Sequence, residues 1–166
     1  MEAEITLLMV FFISLAILKT LRGRFEFARA GRIAMAAMLV VTASGHFLFT
    51  KGMSMMLPGF IPFKVELIYL TGVMEIIAAI GLCLPKISVV TGWLLIVFFI
   101  ALLPANIYEA IKHVDIQTGT FEGKGPNYLW YRIPLQIFFI FWVYLSAIKI
   151  WADEREMQAV DKMHKG

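Results

Sequence analysis

Five long apolar stretches, separated by short polar or proline- and glycine-rich segments, make up most of the 166-residue chain. A helix of about 20 apolar residues crosses a hydrocarbon layer of about 30 Å, and four of the stretches approach that length. The pattern therefore predicts five membrane-spanning helices, over residues 4–20, 33–50, 66–84, 88–107 and 131–151. The expected fold class is an all-α membrane protein.

Composition agrees with this pattern. Hydrophobic residues form 60% of the chain and charged residues 16%, with a mean hydropathy of +0.80, which exceeds what a soluble domain of this size can bury. The basic residues fall in the linkers and form no stripe, which argues against nucleic-acid binding. Cys83 is the only cysteine, so an intrachain disulfide, a CxxC redox pair and a thiolate metal cage are excluded. We expect no intrinsic cofactor and no metal site.

The linkers also predict an orientation. If crossings alternate, ten Lys and Arg residues fall on one side of the membrane and five on the other. The positive-inside rule puts the ten in the cytoplasm, with the N-terminus outside and the C-terminus inside. Residues 1–32 are then an uncleaved signal anchor and its basic cytoplasmic loop, and residues 152–166 are a cytoplasmic tail.

Two segments on the predicted outer side carry turn residues. Residues 51–64 contain Pro58 and Pro62 among Met and Phe side chains, which favours a short amphipathic or re-entrant segment. Residues 113–127 contain Gly123, Gly125 and Pro126 and should form an exposed, mobile loop. Between them, Pro104 should kink the fourth span and free a carbonyl.

Polar residues inside the spans are few, and Glu75 is the most isolated of them. It lies within the apolar stretch of residues 69–85, about 13 Å below the outer boundary at a rise of about 1.5 Å per residue. The same depth count puts four other polar residues in that outer half. The sequence thus predicts an outer-leaflet pocket with these ligand-binding candidates: His46, Glu75, Asn106, Arg132 and Gln136.

An unpaired carboxylate is too unstable in hydrocarbon, so Glu75 must be paired, hydrated or protonated. Arg132 is its expected partner, since a guanidinium grips a carboxylate with two hydrogen bonds. His46 and Asn106 could complete the network. A purely structural interpretation stays open, in which Asn106 and Gln136 only hold helices together and Arg132 extends to the interface.

Five short segments of the chain carry a family resemblance. "GHF", "MLPGFIP", "TGVMEIIAAIGLCLP", "LPANIYEA" and "YRIPLQ" follow one another in the order and spacing of the DoxX family, particularly its DoxX-like branch. The resemblance covers about residues 33–150. It implies a small membrane protein of the bacterial inner membrane, with a four-helix bundle over residues 33–151 and an additional N-terminal helix. Its members occur in quinone oxidoreductase and oxidative-stress contexts, and a vertebrate relative is an assembly chaperone.

Three functions fit the sequence. The leading hypothesis is an accessory subunit of a membrane oxidoreductase, not an enzyme by itself, that binds a quinone-like lipophile while a membrane or soluble partner carries the redox cofactors. The second is an assembly or interaction protein for other membrane proteins. The third is a proton-coupled transporter that uses Glu75, which the lack of an inverted repeat disfavours. The sequence leaves open whether the chain forms a homo-oligomer.

Overall fold

The computed structural model describes residues 2–149, and within them the regular structure is helical. The helices are α1 (Glu2–Arg22), α2 (Phe27–Leu48), α3 (Thr50–Met55), α4 (Lys64–Cys83), α5 (Ser88–Ile111) and α6 (Leu129–Val143). A 3₁₀ turn, Pro126–Tyr128, precedes α6, and a π-helical segment, Tyr144–Lys149, continues it. Five spans in this part of the chain are long and apolar enough to cross a membrane, which confirms the all-α membrane class.

The helix bounds differ from the sequence-based ones mainly in α2 and α5. α2 begins at Phe27 rather than at residue 33, and it carries Arg32 into the protein, where this side chain is buried. α5 continues to Ile111 rather than ending at residue 107. Hydropathy misses both extensions because they contain charged residues on turns that pack against protein. The predicted end of the fifth span at Trp151 and the predicted tail, residues 152–166, lie outside the described residues.

α2 is the central helix of the bundle. It packs against α1, α4 and the π-helical segment, while α5 packs against α4 and α6. Its many alanines allow this close approach, and its Met35, Met38 and Leu39 are almost completely buried. The helices α2, α4, α5 and α6 thus form the four-helix bundle, and α1 is the extra helix, packed mainly on α2. Large apolar side chains such as Phe12 and Ile77 face outward, as contact with lipid requires.

The two ends of the bundle differ in character. The α3 end contains α3, the C-terminal ends of α2 and α5, the N-terminal ends of α4 and α6, and the loop of residues 112–125. The opposite, basic end contains the tight linkers 23–26 and 84–87. Its basic residues in the described part of the chain are Lys19, Arg22, Arg24, Arg29, Arg32, Lys86 and Lys149.

Glu26 organises the linker between α1 and α2. Arg22 donates a hydrogen bond of 3.0 Å to its carboxylate, and Arg24 and Arg29 lie 3.4 and 3.7 Å away. We call these four residues the Glu26 cluster. Burial by itself raises the pKa of Glu26, but the Arg22 hydrogen bond and the three positive charges outweigh it and lower this pKa from its ordinary 4.5. Glu26 is therefore ionised at neutral pH and fixes three arginines around one carboxylate.

The loop of residues 112–125 folds back on the α3 end. Asp115 accepts hydrogen bonds from the backbone N–H groups of Gln117 and Thr118, and it pairs with Thr120 in an isolated β-bridge. Val114 is only 4% exposed. The Ile116 carbonyl lies against Gly52 of α3, so closely that a side chain would not fit between them. The segment was predicted to be an exposed loop, and its outer turn is exposed, but its inner side closes over the bundle.

Candidate functional site

The α3 end contains a large, partly open cavity, of about 910 Å³, within the described part of the chain. Its wall includes all five side chains that the sequence predicted: His46, Glu75, Asn106, Arg132 and Gln136. α3 and the loop contribute Met53, Met56 and Ile116, and most of the remaining wall is apolar. A cavity of this size and character is typical of sites that hold a small organic molecule.

Glu75 is bound from α2. The Thr42 hydroxyl donates a hydrogen bond of 2.9 Å to Glu75 Oε2, and His46 Nδ1 lies 3.6 Å from the same oxygen. His46 Nδ1 is also 3.0 Å from the Thr42 carbonyl oxygen. Because a carbonyl can only accept, this geometry assigns a proton to Nδ1 and leaves Nε2 without a partner among the described side chains. Glu75, Thr42 and His46 form the first of two polar groups on the cavity wall.

Close packing of α4 on α2 makes this first group compact. Gly72 lies one turn before Glu75 and faces α2, where a Cβ atom at this position would come within 2.9 Å of His46 Cβ. Glu75 itself is 4% exposed and His46 is 9% exposed. The small residue at position 72 therefore lets the carboxylate reach the α2 side chains.

Asn106, Arg132 and Gln136 form the second polar group, on α5 and α6. Arg132 Nη2 donates to Asn106 Oδ1 at 3.3 Å, and Asn106 Nδ2 donates to Gln136 Oε1 at 2.8 Å. Gln136 Nε2 in turn donates to the Phe99 carbonyl oxygen. Pro104, where the sequence predicts a kink, lacks the N–H that would bond the Ile100 carbonyl, which follows that of Phe99 in the continuous helix α5. The three side chains thus form one directed chain of hydrogen bonds between α6 and α5.

The predicted ion pair between Glu75 and Arg132 is wrong. Both side chains line the cavity, yet their charged atoms do not approach within the 4.0 Å of an ion pair. α4, which carries Glu75, packs against α2, α3 and α5, whereas α6 packs mainly against α5. The two charges therefore belong to different polar groups that share one cavity.

Sequence reasoning missed several polar residues at this end, among them Thr42, Lys124 and Glu109. Thr42 binds Glu75 directly and lies one helical turn before His46, a spacing that could have revealed it. Lys124 comes from the loop and lines the cavity. Glu109 is 8% exposed and follows Asn106 by three residues, so both lie on the same face of α5. Glu109 does not line the cavity, and its position shows that the buried polar region extends beyond the cavity wall.

The fold and this cavity define a class: a small multi-pass helical membrane protein with a polar-lined cavity at one end of its bundle. Residues 35–147 match the model of a family described as a domain of unknown function (DUF8561), and the chain belongs to that family. The matched region contains all five candidate residues and leaves α1 outside. No curated protein matches the chain, and no solved structure matches it.

Proposed function

We propose that this protein binds a quinone-like lipophile in the cavity at the α3 end and serves as an accessory membrane subunit of an oxidoreductase. The observation that carries the proposal is the cavity itself, about 910 Å³ with largely apolar walls and two separate polar groups. Apolar walls suit a hydrocarbon tail and a ring, and the polar groups suit the oxygens of a head group. The redox cofactors would reside on a membrane or soluble partner.

The chemistry of the two polar groups supports a head with oxygen atoms. Arg132 and Lys124 bring hydrogen-bond donors to the cavity wall, and His46 Nε2 has no partner among the described side chains. Glu75 brings an acceptor when it is ionised and a donor when it is protonated. A quinone offers two carbonyl acceptors, and its reduced form offers two hydroxyl groups, so both forms can use groups of this kind.

The resemblance to the DoxX family supports the oxidoreductase context. The five motifs span about residues 33–150, and the matched domain spans residues 35–147, so the same part of the chain carries both. We propose further that the α3 end faces the outside of the bacterial inner membrane and the basic end faces the cytoplasm. Seven basic residues of the described chain at the basic end, against five at the α3 end, favour that orientation.

Lipid extraction and native mass spectrometry of the gently solubilised protein test this proposal. Wild type should carry a quinone, and Glu75→Gln should lose it while remaining folded, because the amide cannot exchange a proton with the head group. Glu66→Gln is the matched control, since Glu66 is an exposed acid on the same helix. A wild-type extract that contains no lipophile in stoichiometric amount would reject the proposal.

The alternative function is that of an assembly or interaction protein whose polar side chains only hold the helices together. The hydrogen-bond chain from Arg132 through Asn106 to Gln136 favours it, since that chain joins α6 to α5 without a ligand. In this case Glu75→Gln would lower the thermal stability, no lipophile would accompany either protein, and a client membrane protein would become less abundant in cells that lack this chain.

A further inference from the structure

Arg132 has donors on the cavity wall that the described part of the protein does not use. Its partly exposed side chain lines the cavity, and among the described residues only Nη2 is bonded to another side chain, Asn106. Nη1 has no partner there and is accessible, whereas Nε is buried beyond the reach of a ligand. A guanidinium with accessible, unbonded donors on a cavity wall is suited to bind an acceptor oxygen of a ligand.

Asn106 and Gln136 have little left to offer a ligand. Both ends of the Asn106 amide are bonded, one to Arg132 and the other to Gln136. Both ends of the Gln136 amide are also bonded, to Asn106 and to the Phe99 carbonyl oxygen. The two amides are 4% and 8% exposed, respectively. These hydrogen bonds hold the Arg132 guanidinium in one orientation.

We infer that Arg132 holds an oxygen acceptor of the lipophile's head, and that Asn106 and Gln136 are positioning residues that act through Arg132. This inference rests on the proposed lipophile binding and assigns different roles within the same site. Because a guanidinium donates and never accepts, the head must present an acceptor oxygen at this point, such as a carbonyl or an anionic oxygen. Quinones and long-chain carboxylates share that chemistry, so the experiment must separate them.

The test measures dissociation constants in nanodiscs for three probes that share a decyl tail: decyl-benzoquinone, decanoate and decylbenzene. Wild type should bind the first at least 10-fold more tightly than decylbenzene, since one hydrogen bond to a charged group corresponds to about 10- to 100-fold in affinity. Arg132→Lys keeps the charge but lacks the fixed, planar donors of the guanidinium, and it should lose most of this preference. Lys112→Gln is the control for charge, since Lys112 lies at the same end but not on the cavity wall.

A double-mutant cycle separates positioning from direct contact. Asn106→Leu should weaken quinone binding several-fold in wild type and have little further effect in Arg132→Lys, because its influence passes through the guanidinium. Thermal unfolding of each variant identifies any that fail to fold, and Gln136→Leu then serves as the second positioning variant. Additive losses would mean that Asn106 touches the ligand itself, which would overturn its positioning role.

The remaining outcomes are distinguishable. If wild type binds decyl-benzoquinone and Arg132→Lys binds it equally well, the inference fails while the proposed function stands. If wild type prefers decanoate and Arg132→Lys loses that preference, the role of Arg132 stands and the quinone proposal fails. If wild type shows no preference for either head over decylbenzene, both fail.

Discussion

The close contact between α3 and the loop beside the cavity should depend on Gly52, and Gly52→Ala tests this directly. A Cβ atom at this position would lie 1.9 Å from the Ile116 carbonyl oxygen and 2.6 Å from its carbon, whereas ordinary contact begins near 3.4 Å. The loop would have to retreat by about 1.5 Å, and the obstacle is backbone that cannot rotate away. Overpacking of this kind costs about 1–3 kcal/mol, and the better helix propensity of alanine returns up to about 1 kcal/mol.

Such a large overlap with backbone takes the upper part of that cost, about 2–3 kcal/mol, so the expected net loss is about 1–2 kcal/mol. This corresponds to a melting temperature about 2–8 °C lower in a chain of this size. Trypsin should also cut faster at Lys112 and Lys124, because the displaced loop holds both, and quinone affinity should fall because Ile116 lines the cavity. Gly59→Ala is the control, since a Cβ atom there would meet nothing within 4 Å. Equal melting temperatures and equal cleavage rates for the two variants would refute the close contact between α3 and the loop.

Two further predictions concern the carboxylates. Thr42→Val keeps the shape of the side chain but removes the hydroxyl that binds Glu75. It should lower the free energy of unfolding by about 1–3 kcal/mol and weaken quinone binding. An unchanged free energy of unfolding and an unchanged affinity would contradict the role of Thr42. Because the pKa of Glu26 is lowered in the folded protein, its cluster should contribute fully above about pH 4.5 and lose that contribution as the pH falls through the lowered value. Glu26→Gln should therefore be less stable than wild type at pH 7, by about 1 kcal/mol or less, because the three arginines are exposed although Glu26 itself is buried. The difference should shrink below pH 4, and a difference that persists in acid would contradict this.

Hydropathy and depth predicted the fold class and five polar side chains of the cavity wall, for a simple physical reason. A helix rises by a fixed distance per residue, so the position of Glu75 within α4 and of Asn106 within α5 sets their depth once the spans are known. Residues at one depth in a small bundle cannot be far apart. For this reason the five predicted side chains all reach one cavity.

The sequence could not predict which side chains pair, because depth says nothing about rotation or about which helices are neighbours. The expected partner of Glu75 was Arg132, at the same depth, but the fold brings Thr42 to it instead, together with His46, which was predicted to complete the network. That outcome depends on the packing of α4 on α2, which Gly72 permits and which no hydropathy profile contains.

Charged residues also hid the true start of α2. Arg29 and Arg32 lie in its first two turns, and their charge marks this stretch as a loop on any hydropathy scale. The structure continues the helix through them because the intervening small residues, such as Ala28 and Ala30, are fully buried. A pattern of small residues at helix spacing was the signal available, and hydropathy does not weigh it.

The separation of Glu75 from Arg132 bears on what the polar residues are for. In a network that only held helices together, direct contact of the two would reduce the unfavourable desolvation of both charges. Here Glu75 is bonded by a neutral hydroxyl and Arg132 by a neutral amide, and each keeps unused hydrogen-bonding capacity. Arg132 can only donate, and Glu75 accepts when it is ionised. A head group with an acceptor at one end and an exchangeable proton at the other therefore complements both. A quinol meets this requirement when Glu75 is ionised, since the oxygen of one hydroxyl can accept from Arg132 while the other hydroxyl donates to Glu75. A quinone fits when Glu75 is protonated, since its two carbonyl oxygens then accept from both groups.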